Sequence, residues 1–387
     1  MSNRDCGQVA KQSGQVAAFS PRRHNAEMKT ASSTNPTSIA DGVDIPRLRR
    51  RLLNWYDRHR RDLPWRSDDP DPYAVWLSEM MLQQTQTSTV APYYAAFLKA
   101  YPNVEALAAA DRDDILAMWA GLGYYRRAHH LHDAAKIVAD ELGGCFPDTV
   151  RALMELPGVG RYSAGAIASI AFGVSAPILD GNVKRVLSRV FAIRDSQSDA
   201  KTIELLWDIS AKVIPRKRCG DFNQALMDLG ATTCTPKVPG CGTCPLKQLC
   251  IAKQRDLVDE IPPVRKRTKP THLDLTALVI EANGHVLLHR RADSGLWAGM
   301  WELPNVEANG KSITAVCETI LPASIQESLS EFVKSCSVQH QLTHRSVWFN
   351  VYRANCRKSR LPKAFQWAKR NDVLPLPKAF KKILSTM

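Results

Sequence analysis

The sequence predicts a multi-domain protein in which an all-α domain is followed by an α+β domain. Three observations carry that expectation. First, apolar residues recur at helical spacing from Ile45 to about Ala252. Leu48, Leu52, Leu53 and Tyr56 form one such set, and Val183, Val186, Leu187, Val190 and Phe191 another. Second, the stretch from Asp259 to Pro270 joins the proline pair Pro262-Pro263 to a basic run, Arg265 to Lys269, which suits a semi-rigid connector. Third, the period changes beyond it. Leu273 to Glu281 and His285 to His289 flank Asn283-Gly284, a strong hairpin signal, and Val347 to Tyr352 alternates like a further strand. These readings divide the chain into a leader (1–44), an all-α domain (45–252), a basic proline-containing linker (253–270) and an α+β domain (271–387).

The 387 residues are enough to bury several cores, and 44% hydrophobic with 23% charged residues excludes a disordered polymer or a coiled-coil rod for the whole chain. The leader is rich in Ser, Ala, Asn, Gln and Thr without periodicity and reads as disordered, although Arg22, Arg23 and Lys29 faintly resemble an organelle transit peptide. No run approaches ~18 apolar residues, so a soluble, intracellular protein with no membrane partner is expected. Lys plus Arg number 52 against 38 Asp plus Glu, a net charge of +14. That surplus favours a polyanionic partner, with nucleic acid the leading class and an ordinary basic solvated surface the alternative.

Ten cysteines are unevenly placed: Cys234, Cys241, Cys244 and Cys250 crowd together at spacing C-x6-C-x2-C-x5-C, and the rest are scattered. One metal site in a reducing compartment fits this better than a disulfide scaffold. Four thiolates suit zinc or an iron-sulfur cluster. Structural zinc more often pairs two C-x-x-C knuckles, and only Cys241 and Cys244 form one here, so a 4Fe-4S cluster leads and zinc is the runner-up. Lys237 and Lys247 in the same loop could face phosphates.

Four further segments carry chemistry. Leu156-Pro157-Gly158-Val159-Gly160-Arg161-Tyr162 is a Pro-Gly turn running into a small-residue helix. Gly158 and Gly160 leave backbone N–H groups uncovered there, which suits a phosphate oxygen or a plain interhelical turn. Ile178-Leu179-Asp180-Gly181-Asn182-Val183-Lys184-Arg185 places Asp180 before an amphipathic helix, where a capping role is the bland reading; Lys184 and Arg185 suit phosphate contacts. In Trp76-Leu77-Ser78-Glu79-Met80-Met81-Leu82-Gln83-Gln84, Glu79 sits among large apolar side chains. It lies either on a surface stripe or where burial raises its pKa into general-acid range. Gln83 and Gln84 could bond unpaired base edges. Trp119-Ala120-Gly121-Leu122-Gly123-Tyr124-Tyr125-Arg126-Arg127 interleaves aromatics with arginines, either to wedge a base stack or to pack between helices.

Taken together, WLSEMMLQQTQ, GLGYYRRA, LPGVGRYSAGAI, ILDGNVKRVLSR, FNQALMDLGA and the cysteine loop resemble the MutY-type adenine DNA glycosylases of the helix-hairpin-helix superfamily, in order, from about Leu53 to Cys250. The resemblance implies an all-α helix-hairpin-helix glycosylase core with a 4Fe-4S loop at 234–250. Its partner would be double-stranded DNA holding adenine opposite 8-oxoguanine or guanine, and its reaction hydrolytic removal of the flipped adenine. It further implies that Glu79 is the general acid and that Asp180 stabilises the sugar cation or captures it covalently, with Tyr162 and Asn182 orienting it. Trp65, Arg66 and Gln224 would line the adenine pocket. Gln84 and Tyr124 would fill or wedge the duplex. The related endonuclease III type carries a lysine where this chain has Tyr162, so a monofunctional enzyme without a lyase step is expected.

Residues from about Pro270 onward resemble the Nudix-like domain of the same family, most clearly at GLWAGMWELP (295–304) and then at His340 to His344. No R-E-x-x-E-E box follows Gly295, so Mg²⁺-dependent pyrophosphate hydrolysis is not expected. The family commonly shows Phe-Ser-His where this chain has Leu342-Thr343-His344; Thr343 keeps the hydroxyl, and with His344 it is the implied lesion reader. The resemblance also implies a monomer. Its expected place is the bacterial cytoplasm at the nucleoid, or the nucleus or mitochondrion of a eukaryotic cell.

Overall fold

A computed structural model describes residues 42–264, 270–307, 312–342, 344–370, 372 and 374–386. The leader up to residue 41 lies outside the described residues, as does Thr343. The chain forms two compact units: Ala134–Arg265 with the segment up to Glu105, and Ala106–Asp133 with Lys266–Met387.

The first unit is helical and is built on capped amphipathic segments. Helix α1, Ile45–His59, starts at Asp44, whose side chain accepts from the Arg47 amide, and buries Leu48, Leu52, Trp55 and Tyr56. Helix α2, Pro72–Leu82, has Asp71 as its cap and proline in its first turn, where the missing N–H costs nothing. It is apolar all round, as a helix buried within a domain must be, and Glu79 is buried with Trp76, Leu77, Met80 and Met81. Helix α3 is Thr87–Ala100. After a short helix at Val150–Leu153, the chain turns at Leu156 to Gly160 and enters α4, Arg161–Ala171. Gly158 sits at φ 78 in that turn, a conformation that favours glycine. Helix α5, Gly181–Val190, is capped by Asp180, and all five of the apolar positions expected from its periodicity are buried. Ala200–Val213 and α6, Cys219–Asp228, complete the frame. The main core joins α1, α5 and α6 through Leu52, Val183, Leu187, Phe222, Leu226 and their neighbours. Val258 and Ile261 bury with Ala252, so the first half of the proline-containing stretch packs with this unit.

The second unit holds a mixed seven-stranded sheet. Strands β1, Thr271–Ala282, and β2, His285–Arg290, are joined through Asn283 (φ 48) and Gly284 (φ 73). Positive φ at both turn residues is the type I′ geometry that Asn-Gly favours. The strand Arg345–Asn355 runs parallel to β1 and buries Val347, Phe349 and Val351 on one face, as the alternation predicts. Leu278, Ile280, Leu287, Val316, Ile325 and Ala354 form the core beneath the sheet. No helix among the described residues is long and apolar enough to cross a membrane.

Candidate active site

Glu79, Asp180, Tyr162, Asn182, Trp65, Arg66 and Gln224, scattered over about 160 positions in sequence, line one cavity in the first unit with an atom-free volume of ≈ 710 Å³. Helix α2 brings Glu79, α4 brings Tyr162, the start of α5 brings Asp180 and Asn182, and α6 brings Gln224 with Met227.

Glu79 is 3% exposed, and its Oε2 has no hydrogen-bond partner. Burial pushes its pKa up to about 7, with the negative Asp180 adding to the rise, while a hydrogen bond with Tyr162 and the charge of Arg66 pull the other way. A carboxyl group in that range holds a proton at neutral pH and can give it up. Burial also raises Asp180 above the ordinary aspartate range, but its surroundings resist the rise. Its Oδ1 accepts from the Val183 amide at 2.6 Å and its Oδ2 from the Asn182 side chain at 3.2 Å. Asp180 therefore does cap the helix, as the bland reading has it, and the same donors favour its charged form. Two acids in one cavity thus have different surroundings: burial raises both, while Glu79 Oε2 is left unpartnered among the described residues and Asp180 is held by a backbone amide and the Asn182 side chain. Tyr162 is itself raised well above the usual tyrosine value by burial and by Glu79 and Asp180, so its hydroxyl stays neutral and donates; Met227 Sδ lies 3.3 Å from it.

Asp228 escaped sequence reasoning although it lies inside the FNQALMDLGA segment. Its fully buried carboxylate accepts from Arg66 at 2.7 and 3.0 Å and from Arg61 Nε at 2.6 Å. Arg66, which also lies 5.6 Å over the Tyr56 ring, is therefore fixed at the cavity wall. Trp65 is held edge-on against Tyr94, 5.6 Å between ring centroids.

Two residues expected at DNA turn inward. Gln83 donates to Gly158 O at 3.0 Å and to Ser163 Oγ at 3.3 Å, tying α2 to the glycine turn. Arg185 is buried, donating to Cys234 O, Gly230 O and Asn182 Oδ1, each at 2.8 Å, and so props the residue that holds Asp180. Three sites stay open to solvent. Gln84 is exposed at φ 58, Lys184 is half-buried on α5, and the first amides of α4 have no side-chain cap at Gly160. A Cβ added at Gly160 would meet no atom of the described residues within 4 Å, so their packing does not require glycine there. Tyr124, 40% exposed at φ 48, and His344, also exposed, belong to the second unit.

Cys234, Cys241, Cys244 and Cys250 together line a second cavity with Val186, Leu229 and Leu246. Arg189 Nη1 approaches Cys234 Sγ at 3.4 Å and also holds Thr235 O at 2.7 Å. Among the described residues no group of three or more His, Cys, Asp or Glu side chains is gathered for a single metal ion.

Residues 77–212 match the HhH-GPD superfamily of base excision DNA repair proteins, and residues 275–386 match the NUDIX domain family. The chain is 38% identical to the adenine DNA glycosylase of Homo sapiens, over 89% of this chain and 73% of that protein. It belongs to the adenine DNA glycosylase family. The adenine DNA glycosylase of Buchnera aphidicola subsp. Schizaphis graminum is also 38% identical, over 68% of this chain and 76% of its own. Among solved structures, a thermostable thymine-DNA glycosylase aligns with a TM-score of 0.50 at 29% identity, covering 55% of this chain and 97% of that one. Family membership makes this chain a DNA-binding N-glycosylase of base excision repair: a helical helix-hairpin-helix core followed by a Nudix-like domain.

Proposed function

We propose that the protein removes adenine paired with 8-oxoguanine or guanine in duplex DNA, by hydrolysis without a lyase step. The observation that carries the mechanism is the pairing of a fully buried Glu79, whose Oε2 is unpartnered, with an Asp180 whose carboxylate is already bonded at a helix start. Glu79 gives its proton to a ring nitrogen of adenine. The glycosidic C1′–N bond then breaks with its electron pair leaving on the base. Asp180 balances the positive charge that develops on the sugar, and Asn182 and Tyr162 hold it in place. Water adds at C1′, and its proton returns to Glu79. Tyr162 offers no amine for an imine at C1′, which supports the monofunctional reading. Gly158, Gly160 and Lys184 serve the phosphate backbone, Gln84 and Tyr124 the distorted duplex, and Thr343 with His344 the base opposite adenine.

The cysteine cavity fits a 4Fe-4S cluster. Its four thiols, set around one cavity with Val186, Leu229 and Leu246, supply one sulfur for each of a cubane's four irons. Held by Cys234, Cys241, Cys244 and Cys250, such a cluster would supply no step to the reaction; it would crosslink the loop that carries Lys237 and Lys247.

The test is a duplex with adenine opposite 8-oxoguanine: alkali-labile sites are expected at the adenine, and no borohydride-trapped adduct. Strand cleavage before alkali would sink the monofunctional reading. Iron with acid-labile sulfide in anaerobically purified protein is expected at the cysteines, and stoichiometric zinc would replace the cluster.

A further inference from the structure

Helix Arg112–Trp119 and the helix starting at Arg126 flank the loop that presents Tyr124, and the first of them, with the second as far as Asp133, falls in the same compact unit as the Nudix-like domain. Each is gripped by that domain near one end. On the first, the Asp113 carboxylate takes both guanidinium nitrogens of Arg290, at 2.6 and 3.0 Å, with Trp301 Nε1 at 3.4 Å and the Arg290 cation 5.4 Å over the Trp301 ring. On the second, His129 Nε2 meets Ala298 O at 3.1 Å. Gly299, at φ 69, lies so close that a Cβ there would come 2.8 Å from His129 Cε1. The stretch 295–304, the part of the C-terminal domain with the clearest family likeness, thus supplies Ala298, Gly299 and Trp301 to these grips.

Between the two grips the loop is splinted by its own residues. Arg127 Nη2 donates to Leu122 O at 3.3 Å and to Gly123 O at 3.1 Å, and Trp119 Nε1 donates to Gly123 O at 3.1 Å. The Arg127 guanidinium lies 5.3 Å from the Trp119 ring and 5.6 Å from that of Tyr124. A bidentate Arg-carboxylate pair is directional, so it fixes an angle as well as a distance.

We infer that the Asp113–Arg290 pair and the His129–Gly299 contact make the wedge loop a rigid extension of the Nudix-like domain, so that a base held by that domain sets where Tyr124 enters the duplex. This rests on the proposed roles of Tyr124 and of the C-terminal domain. Asp113 and Arg290 are on this account positioning residues. Their side chains are 30% and 36% exposed, and a pair so exposed contributes little to stability, so its removal leaves the protein folded.

The experiment uses the full chain as parent, Arg290→Gln, Asp113→Asn and the charge-swapped double variant D113R/R290D. Each binds a duplex with 2-aminopurine next to an excision-resistant 2′-fluoro-adenosine, opposite guanine or 8-oxoguanine; excision is timed separately on the same duplexes carrying ordinary adenosine, with melting temperature recorded alongside. Expected are parent-like melting, a loss of the fluorescence rise that reports unstacking, and a fall of about tenfold in the excision preference for 8-oxoguanine over guanine, within the ~5–150-fold range of couplings between sites. The double variant should recover part of both. Parent-like fluorescence in folded single variants overturns the inference, and so does an equal loss of excision opposite both bases. A parent with no preference between the two bases defeats the proposed lesion reading instead, and the fluorescence still decides the coupling.

Discussion

The Glu79 cavity and the chain around Leu342, His344 and Arg345 hold their side chains in opposite ways. In the cavity, Glu79, Tyr162 and Asp180 are carried by packed helices and largely removed from water, so burial can separate the behaviour of two acids. In the second region, Leu342 N is bonded to Arg345 O at 2.8 Å and Thr271 N to His344 O at 3.0 Å, while His344 is exposed. Chemistry needs a tuned proton, which needs desolvation. Reading a base needs reach, which needs a held backbone and a free side chain. The two regions should therefore fail differently: the first in rate and pH profile, the second in choice of substrate.

The largest effect is expected at Glu79. Glu79→Gln keeps the shape but has no proton to give, so single-turnover excision should fall by about 10²–10⁴-fold while duplex affinity is kept. Retention of more than about a tenth of the parent rate would remove Glu79 from its role. Next comes Asp228→Ala, which leaves Arg61 and Arg66 as cations without their anion at the cavity wall. A loss of about 3–5 kcal/mol in urea unfolding is expected, and an unchanged midpoint would show that the pair does not hold the wall.

Acidity gives a third, smaller effect. The folded-state pKa of Glu79 is raised from 4.5 to about 7, so the folded protein binds this proton more tightly than the unfolded chain does. This group's contribution to stability therefore falls as pH rises from about 4.5 to about 7, and excision falls above about 7 as the acid form is lost. Glu79→Gln should remove that slope and stabilise the protein at pH 8 by about 3 kcal/mol or less; a parent whose rate stays flat from pH 6 to 9 would contradict the acid assignment. The smallest effect belongs to the second region. His344→Ala should lower the preference for 8-oxoguanine over guanine by about 2- to 10-fold, one hydrogen bond's worth, with excision opposite guanine unchanged. Loss opposite both bases would make His344 a general DNA contact.

Much of the cavity was legible because its residues sit in short segments with strong local signals: an acid in an apolar helix, an Asp at a helix start, glycines in a turn. Asp228, Gln83 and Arg185 were not, for a common reason. Their partners lie 162, 75 and 49 positions away, and a residue's type does not say whether its polar end faces solvent or a distant carbonyl. The hairpin at Asn283-Gly284 was legible because its geometry is decided by the two residues in it. The grip of residues 298–301 on the helices beside Tyr124 was not, because it joins segments far apart in the chain.

The open space beside Gly160 separates two kinds of failure that usually travel together. Since a methyl group there meets nothing among the described residues, Gly160→Ala should be made, fold and persist in a cell at ordinary abundance, escaping the chaperones and proteases that remove damaged chains. The fault would show only when a phosphate came to take that space. A screen for protein level would pass such a variant, and an assay of duplex affinity would reject it.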